Sequence, residues 1–271
     1  MIILKQYKYY FLTLFIVLVC IAILRPINYD EAYYIQSAGY IIKGKLPYTD
    51  FNFHQPPLVL LNFIFQPHKG FISFIAGRTS AIILTFISII VYSILVNKLI
   101  KNKSLITIFL LFIILNFFFL DWCVVIKPYP ISIFITGCIL FMLASDNSQF
   151  KNIIIGVLIT LLILIKLSYI PLAVIFMLYS IVLISQNNPQ NKKWKLLLFL
   201  ISAAFPLVVF FIFYSNNFEI IYFNLFEFNI IDNTKSMTEN ILKLIYYFIV
   251  PQNFLLLIII LFSGIKYKKY Y

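Results

Sequence analysis

The sequence predicts an all-α fold: a polytopic membrane helical bundle of about eight spans, with two short juxtamembrane helices in its first outer loop. Two observations carry this. Of 271 residues, 63% are hydrophobic and 11% charged, where soluble domains carry about 25% charged residues. Several uninterrupted apolar runs also approach the ~20 residues that cross a bilayer as a helix. In lipid the backbone must bond within its own segment, which requires helices here, and a barrel would show ~10-residue alternating segments instead. The formal net charge of +12 would suggest nucleic acid in a soluble protein; here its distribution reports topology, and no nucleic-acid partner is expected. Cys20, Cys123 and Cys138 have no close spacing and suggest neither a disulfide framework nor a metal knuckle.

In chain order, Lys5 and Lys8 precede an apolar run from Phe11 to Leu24, which reads as an uncleaved signal-anchor with its N-terminus inside. The segment from Asn28 to Leu61 then concentrates carboxylates, a histidine, tyrosines and a Pro-Pro corner. Asn28 or Asp30 can cap a helix that Gly44 terminates. Tyr34, Ala38 and Ile41/Ile42 recur at helical spacing, as in an amphipathic helix lying in the interface. Lys45 to His54 reads as loop, and Pro56-Pro57 starts a second short apolar helix, Leu58 to Phe65. Further spans are expected near Ala81–Val96, Leu105–Leu120, Ile131–Ala144, Ile153–Ile165, Ile170–Ile184, Leu196–Tyr214 and Ile241–Phe262, and Ser215–Asn240, which mixes aromatics with acids as an interfacial helix does, is expected to be a second large outer connector. No repeat or linker divides the chain, so residues 1–271 read as one membrane domain with an outer juxtamembrane loop at 26–66.

With the N-terminus inside, the short inner connectors collect Lys5, Lys8, Lys98, Lys101, Lys103, Lys151, Lys192, Lys193, Lys195, Lys266, Lys268 and Lys269, as the positive-inside bias requires. Among the acids only Asp146 falls inside. The polar chemistry is therefore expected on the outer face.

Asp30-Glu31 admit two readings. Acids at a helix start are favoured by capping and the helix dipole. A carboxylate at a membrane surface can equally act as general base or metal ligand. Lys127, in the outer loop DWCVVIKPYP, either snorkels to headgroups or stabilises an anion. Arg78 heads the second full span on the same side. Lys166, between two apolar runs, lies at the outer boundary or is buried, and a buried lysine is functional by default. His54 in a loop and His68 in a turn have ordinary structural readings. Asp121-Trp122, Tyr33, Tyr34, Tyr40 and Tyr48 fit an interfacial belt, although such rings can also stack on sugars.

Asp30-Glu31 just after the first span, followed by Ala32, Gly44, Pro47-Tyr48, Asp50-Phe51 and Pro56-Pro57-Leu58, resembles the first outer loop of GT-C superfamily integral-membrane glycosyltransferases. The similarity is to the branch that uses lipid-linked sugars: protein O-mannosyltransferases, bacterial aminoarabinose transferases and Rgt-like lipopolysaccharide transferases. The motif covers about 35 residues, and the order of spans extends it loosely along the chain. Enzymes of that group usually carry more spans than this sequence. The resemblance implies that Asp30 is the catalytic base and that Glu31 positions acceptor or metal. It implies that Lys127, Arg78 and Lys166 bind the carrier's phosphate, with Asp50, His54 and Tyr48 as further substrate contacts. It also implies a polyprenyl-phosphate sugar donor, an acceptor of unknown identity, contact with membrane lipids, and an active site on the outer face of a bacterial inner membrane. No strong metal constellation accompanies the motif, so a divalent metal is left open. The alternatives are a lipid or glycan transporter, an envelope-assembly protein, or an inactive truncated transferase.

Overall fold

The computed structural model describes residues 5–61, 70–145, 149–186 and 192–227. Among these, regular structure is helical, with no strand beyond an isolated bridge between Pro47 and Phe51. In order the helices are α1 (Lys8–Leu24), α2 (Tyr29–Ile42), α3 (Leu58–Leu61), α4 (Phe71–Ile100), α5 (Lys103–Leu115), α6 (Phe117–Cys123), α7 (Tyr129–Leu143), α8 (Gln149–Ile165), α9 (Ile170–Gln186), α10 (Lys192–Phe213) and α11 (Phe218–Tyr222). Short 3-10 turns at Leu167–Tyr169 and Ser215–Asn217 precede α9 and α11, and a π-helical turn, Phe223–Glu227, follows α11.

Three of these segments are long and apolar enough to cross a membrane: Phe71–Ile100, Leu167–Gln186 and Lys192–Phe213. Two bent pairs raise the number to five if each pair is one span: α1 with α2, bent by 92°, and α5 with α6, bent by 70°. The chain is thus a helical membrane protein. Two of the expected spans, near Ile131–Ala144 and Ile153–Ile165, are shorter apolar helices here, and Ile241–Phe262 lies outside the described residues. The expected second juxtamembrane helix is described only over Leu58–Leu61.

The boundaries have local causes. Arg25 and Pro26 end α1, and the 92° bend lays α2 across the direction of α1, as an interfacial helix following a span would lie. The expected Leu105–Leu120 span is broken at Asn116, whose side chain accepts the Phe119 N–H at 3.0 Å and opens α6. Lys101, in the left-handed region at φ 52°, ends α4, and Asn102 caps α5 by accepting from Ser104 and Leu105.

The described residues divide into two compact units, one of residues 5–33 and 70–137 and the other of residues 34–61, 138–145, 149–186 and 192–227. In the first, α1 packs against α4, α5 and α6 through Phe11, Leu14, Leu18, Ile21 and Ala22, a single helical stripe. The buried side of α4 mixes small and polar residues such as Ser73, Gly77, Ala81 and Thr85 with Ile82 and Ile89, and Thr85 donates to the Cys123 carbonyl at 2.7 Å. In the second unit, α8 packs most extensively against α10. A Cβ on Gly156 would meet Ser202 Oγ at 2.2 Å, the Phe199 carbonyl at 2.7 Å and the Ala203 nitrogen at 3.0 Å. Thr160 donates to the Ala203 carbonyl beside it. Small residues with a hydroxyl crossing between helices are how membrane helices pack closely without a hydrophobic driving force. The outward face of α10 shows Ile201, Phe205, Val208, Phe211 and Ile212, a surface suited to lipid and not to water.

Candidate functional site

The first unit holds a cluster of ion pairs where α1 ends and α2 begins. Asn28 is the N-cap of α2: its side chain accepts the Asp30 N–H at 3.2 Å. Glu31 reaches back and accepts the Asn28 N–H at 3.1 Å, completing a capping box. The same carboxylate is fully buried and accepts from Arg78 through both oxygens, Nε to Oε1 at 3.0 Å and Nη2 to Oε2 at 2.7 Å. The Ile126 N–H supplies a fourth bond at 3.2 Å.

Arg78 does more than pair with Glu31. Its Nη1 donates to the carbonyls of Ala22 at 2.6 Å and Arg25 at 2.8 Å, and its Nη2 to the carbonyl of Pro26 at 3.0 Å. Those are carbonyls at and just beyond the C-terminus of α1, which a helix leaves without partners. A guanidinium has five N–H donors, and all five are engaged. One cation from α4 therefore caps α1 and anchors the start of α2. The expectation that Arg78 binds a donor phosphate gives way to this: the side chain has no donor left to offer. Glu31 likewise has both oxygens doubly occupied, so its expected part in positioning acceptor or metal gives way to a structural one.

Burial alone would raise the pKa of Glu31. Its hydrogen bonds from Arg78, Asn28 and Ile126, with the charge of Arg78, outweigh that and hold the carboxyl below its ordinary value of 4.5.

Asp30 is different. It sits one position earlier, turned away from the clamp, and its side chain is 54% exposed. Lys127 Nζ lies 2.6 Å from its Oδ2, and the lysine is itself only 8% exposed. Lys127 also lies 4.9 Å from the centre of the Trp122 ring, a cation–π distance. Arg25 approaches the same ring at 5.8 Å and pairs with Asp121. The lysine is delivered by a tight turn in which its own N–H donates to the Val125 carbonyl at 2.8 Å. The arrangement is thus a wetted carboxylate on a largely buried ammonium, beside a buried charge clamp. Such a carboxylate can accept a proton, and such an ammonium can hold an anion.

The sequence-predicted residues fall in both units. Asp30, Glu31, Arg78 and Lys127 are brought together in the first. Tyr48, Asp50, His54 and Lys166 belong to the second. There Asp50 closes a loop, accepting the Leu46 N–H at 2.7 Å. Tyr48 is 2% exposed, with φ at 72°. It donates through its hydroxyl to the Gln55 carbonyl at 2.6 Å and lies edge-on to Tyr214 at 5.3 Å. A ring so enclosed offers no face to a sugar, so its expected substrate contact gives way to a structural role. His54 is half-buried beside Gln55, whose side chain accepts from Tyr34 at 2.7 Å. Lys166 is half-buried at the break between α8 and the 3-10 turn before α9.

The second unit also contains an apolar groove of about 540 Å³, with Ile41, Leu58, Leu161, Phe205, Pro206 and Phe210 among its walls. Sequence reasoning missed the Arg25–Asp121 pair and the role of Trp122 as a floor for two cations. The one available signal was an arginine at a helix end facing an acid-aromatic pair at another. Among the described residues, no group of three or more His, Cys, Asp or Glu could hold a metal ion. No protein family, curated protein or solved structure was found to match the chain.

Proposed function

We propose that the protein is a glycosyltransferase that moves a sugar from a polyprenyl-phosphate donor to a lipid, glycan or protein acceptor on the outer face of a bacterial inner membrane. The observation that carries this reading is the Asp30–Lys127 pair, an exposed carboxylate 2.6 Å from a largely buried ammonium. In the resting site each neutralises the other. A donor phosphate competes for Lys127 and frees Asp30 to take the acceptor's proton. The acceptor oxygen or nitrogen then bonds to the anomeric carbon as the bond to phosphate oxygen breaks. The electron pair leaves on polyprenyl phosphate, whose charge Lys127 holds. The proton ends on Asp30 and passes to solvent. The outer location follows from the one-sided distribution of lysines and acids.

A second reading, a lipid or glycan transporter, is favoured by Lys166, a lysine half-buried at a helix break, because broken helices at charged positions are typical of transporters. Membranes carrying the protein, supplied with radiolabelled polyprenyl-phosphate hexoses and pentoses, separate the two. Label appearing in a new acceptor supports the transferase. Label that crosses to the opposite face without leaving its carrier supports transport and overturns the first reading.

A further inference from the structure

Helix α8 opens Gln149, Phe150, Lys151, Asn152, which places a cation and an amide in its first turn. An asparagine there would ordinarily cap or face water. Asn152 is instead 5% exposed, and its Nδ2 has no hydrogen-bond partner. Buried polar groups are nearly always satisfied, so an orphaned amide donor needs an explanation. Asn152 lines a cavity of about 220 Å³ within the second unit. Lys151, Ser145 and Ser180 line the same space, with Leu143 and Phe199 among its apolar walls. Among the described residues that line it there is no carboxylate.

The groups around this cavity are biased toward donors. Lys151 Nζ donates to the Ser145 carbonyl at 2.9 Å, which fixes the ammonium at the cavity. An ammonium carries three donors and an amide nitrogen two. Ser180, which also lines the space, donates its hydroxyl back to the Phe176 carbonyl at 2.7 Å. Cation and unmatched buried amide together call for an oxyanion with more than one acceptor oxygen.

We propose that this cavity is a phosphate-binding site, separate from the Asp30–Lys127 pair, in which Asn152 Nδ2 and Lys151 Nζ hold the oxygens of a phosphate group. A lipid headgroup and free phosphate share that chemistry, and the test distinguishes them. The full chain is purified in detergent and melted in rising inorganic phosphate, with chloride at matched ionic strength as control. It is also reconstituted with phosphatidic acid or with a phosphate-free glycolipid, re-extracted, and weighed by native mass spectrometry for retained lipid. Asn152→Leu and Lys151→Gln are run beside the wild type, so that a folding failure in one leaves the other.

A phosphate-dependent rise in melting temperature, with the half-saturating concentration raised at least tenfold in either variant, identifies free phosphate as a ligand. Retention of phosphatidic acid over the glycolipid, lost in the variants, identifies a lipid headgroup. If neither phosphate nor phosphatidic acid discriminates wild type from both variants, the cavity holds water and the proposal is wrong. None of these readouts depends on sugar transfer, so the proposal and the transferase reading fail separately.

Discussion

Replacing Arg78 with methionine, or Glu31 with glutamine, tests the clamp on which Asp30 stands. In the first variant a fully buried carboxylate loses its cation, and the carbonyls of Ala22, Arg25 and Pro26 lose their donors. In the second, the guanidinium loses its anion, and an amide N–H₂ is forced toward groups that are themselves donors. Removing one partner of a buried ion pair costs about 3–5 kcal/mol, so each single variant should lose about that much stability. Arg78→Met should be the worse of the two, because three carbonyls go unsatisfied with the carboxylate. The double variant Glu31→Leu/Arg78→Met removes both charges, and its loss should fall short of the sum of its component single variants by about 1–3 kcal/mol. The assay is denaturant unfolding of purified protein in micelles, followed by the fluorescence of Trp122, which abuts the cluster, with Trp194→Phe as background. Single variants within about 0.5 kcal/mol of the parent, or strict additivity, would refute the clamp.

The same carboxylate sets a dependence on acidity. Because Glu31 is held below its ordinary 4.5 in the folded protein, its contribution is present above that value and is lost as pH falls through the folded value. Stability measured from pH 6 downward should therefore decline for wild type and stay flatter for Glu31→Gln; parallel curves would show that another group governs acid unfolding. Gly156→Ala should push α8 off α10, since the new methyl meets the Phe199 carbonyl at 2.7 Å and the Ala203 nitrogen at 3.0 Å. Overpacking of this kind costs about 1–3 kcal/mol, readable as a lower melting temperature, and an unchanged melt would mean that the two helices do not cross so closely. Lys127→Met should lower kcat/KM for the sugar donor about 10²-fold or more while leaving the fold intact, given what one charge-stabilising donor contributes to a developing anion; an unchanged value would remove Lys127 from the site.

How much of this was legible in the sequence depends on range. The α2 start was readable because the capping signal is local: Asn28, Asp30 and Glu31 lie within four positions. The partner of Glu31 was not, because Arg78 is 47 residues away and a lone arginine near a span looks the same whether it meets a phosphate or a helix end. The carbonyls that claim Arg78 belong to the backbone of α1, and backbone acceptors leave no trace in residue identity. Asp30 and Lys127 were singled out separately, each for its own chemistry, and the fold brings them within 2.6 Å. Span edges failed where polarity and helicity part company. The start of α4 was expected near Ala81, because Gly77, Arg78, Thr79 and Ser80 lower the local hydropathy. The helix begins at Phe71, since those residues face a packed interior or bond back along the helix. The run from Leu105 to Leu120 looked continuous because one asparagine barely changes hydropathy, yet the Asn116 side chain captures a backbone N–H and turns the chain.

The central claim is that Asp30 takes the acceptor's proton, and it is tested most directly by Asp30→Asn. The substitution keeps the shape of the side chain and leaves the Glu31–Arg78 clamp untouched. It removes the negative charge that pairs with Lys127, and with it the ability of a half-exposed group to accept that proton. With wild-type and variant protein reconstituted at equal folded amounts, the rate of transfer from a radiolabelled polyprenyl-phosphate sugar should fall about 10²–10⁴-fold, the usual worth of a positioned general base. A variant that transfers sugar at the wild-type rate would contradict the account.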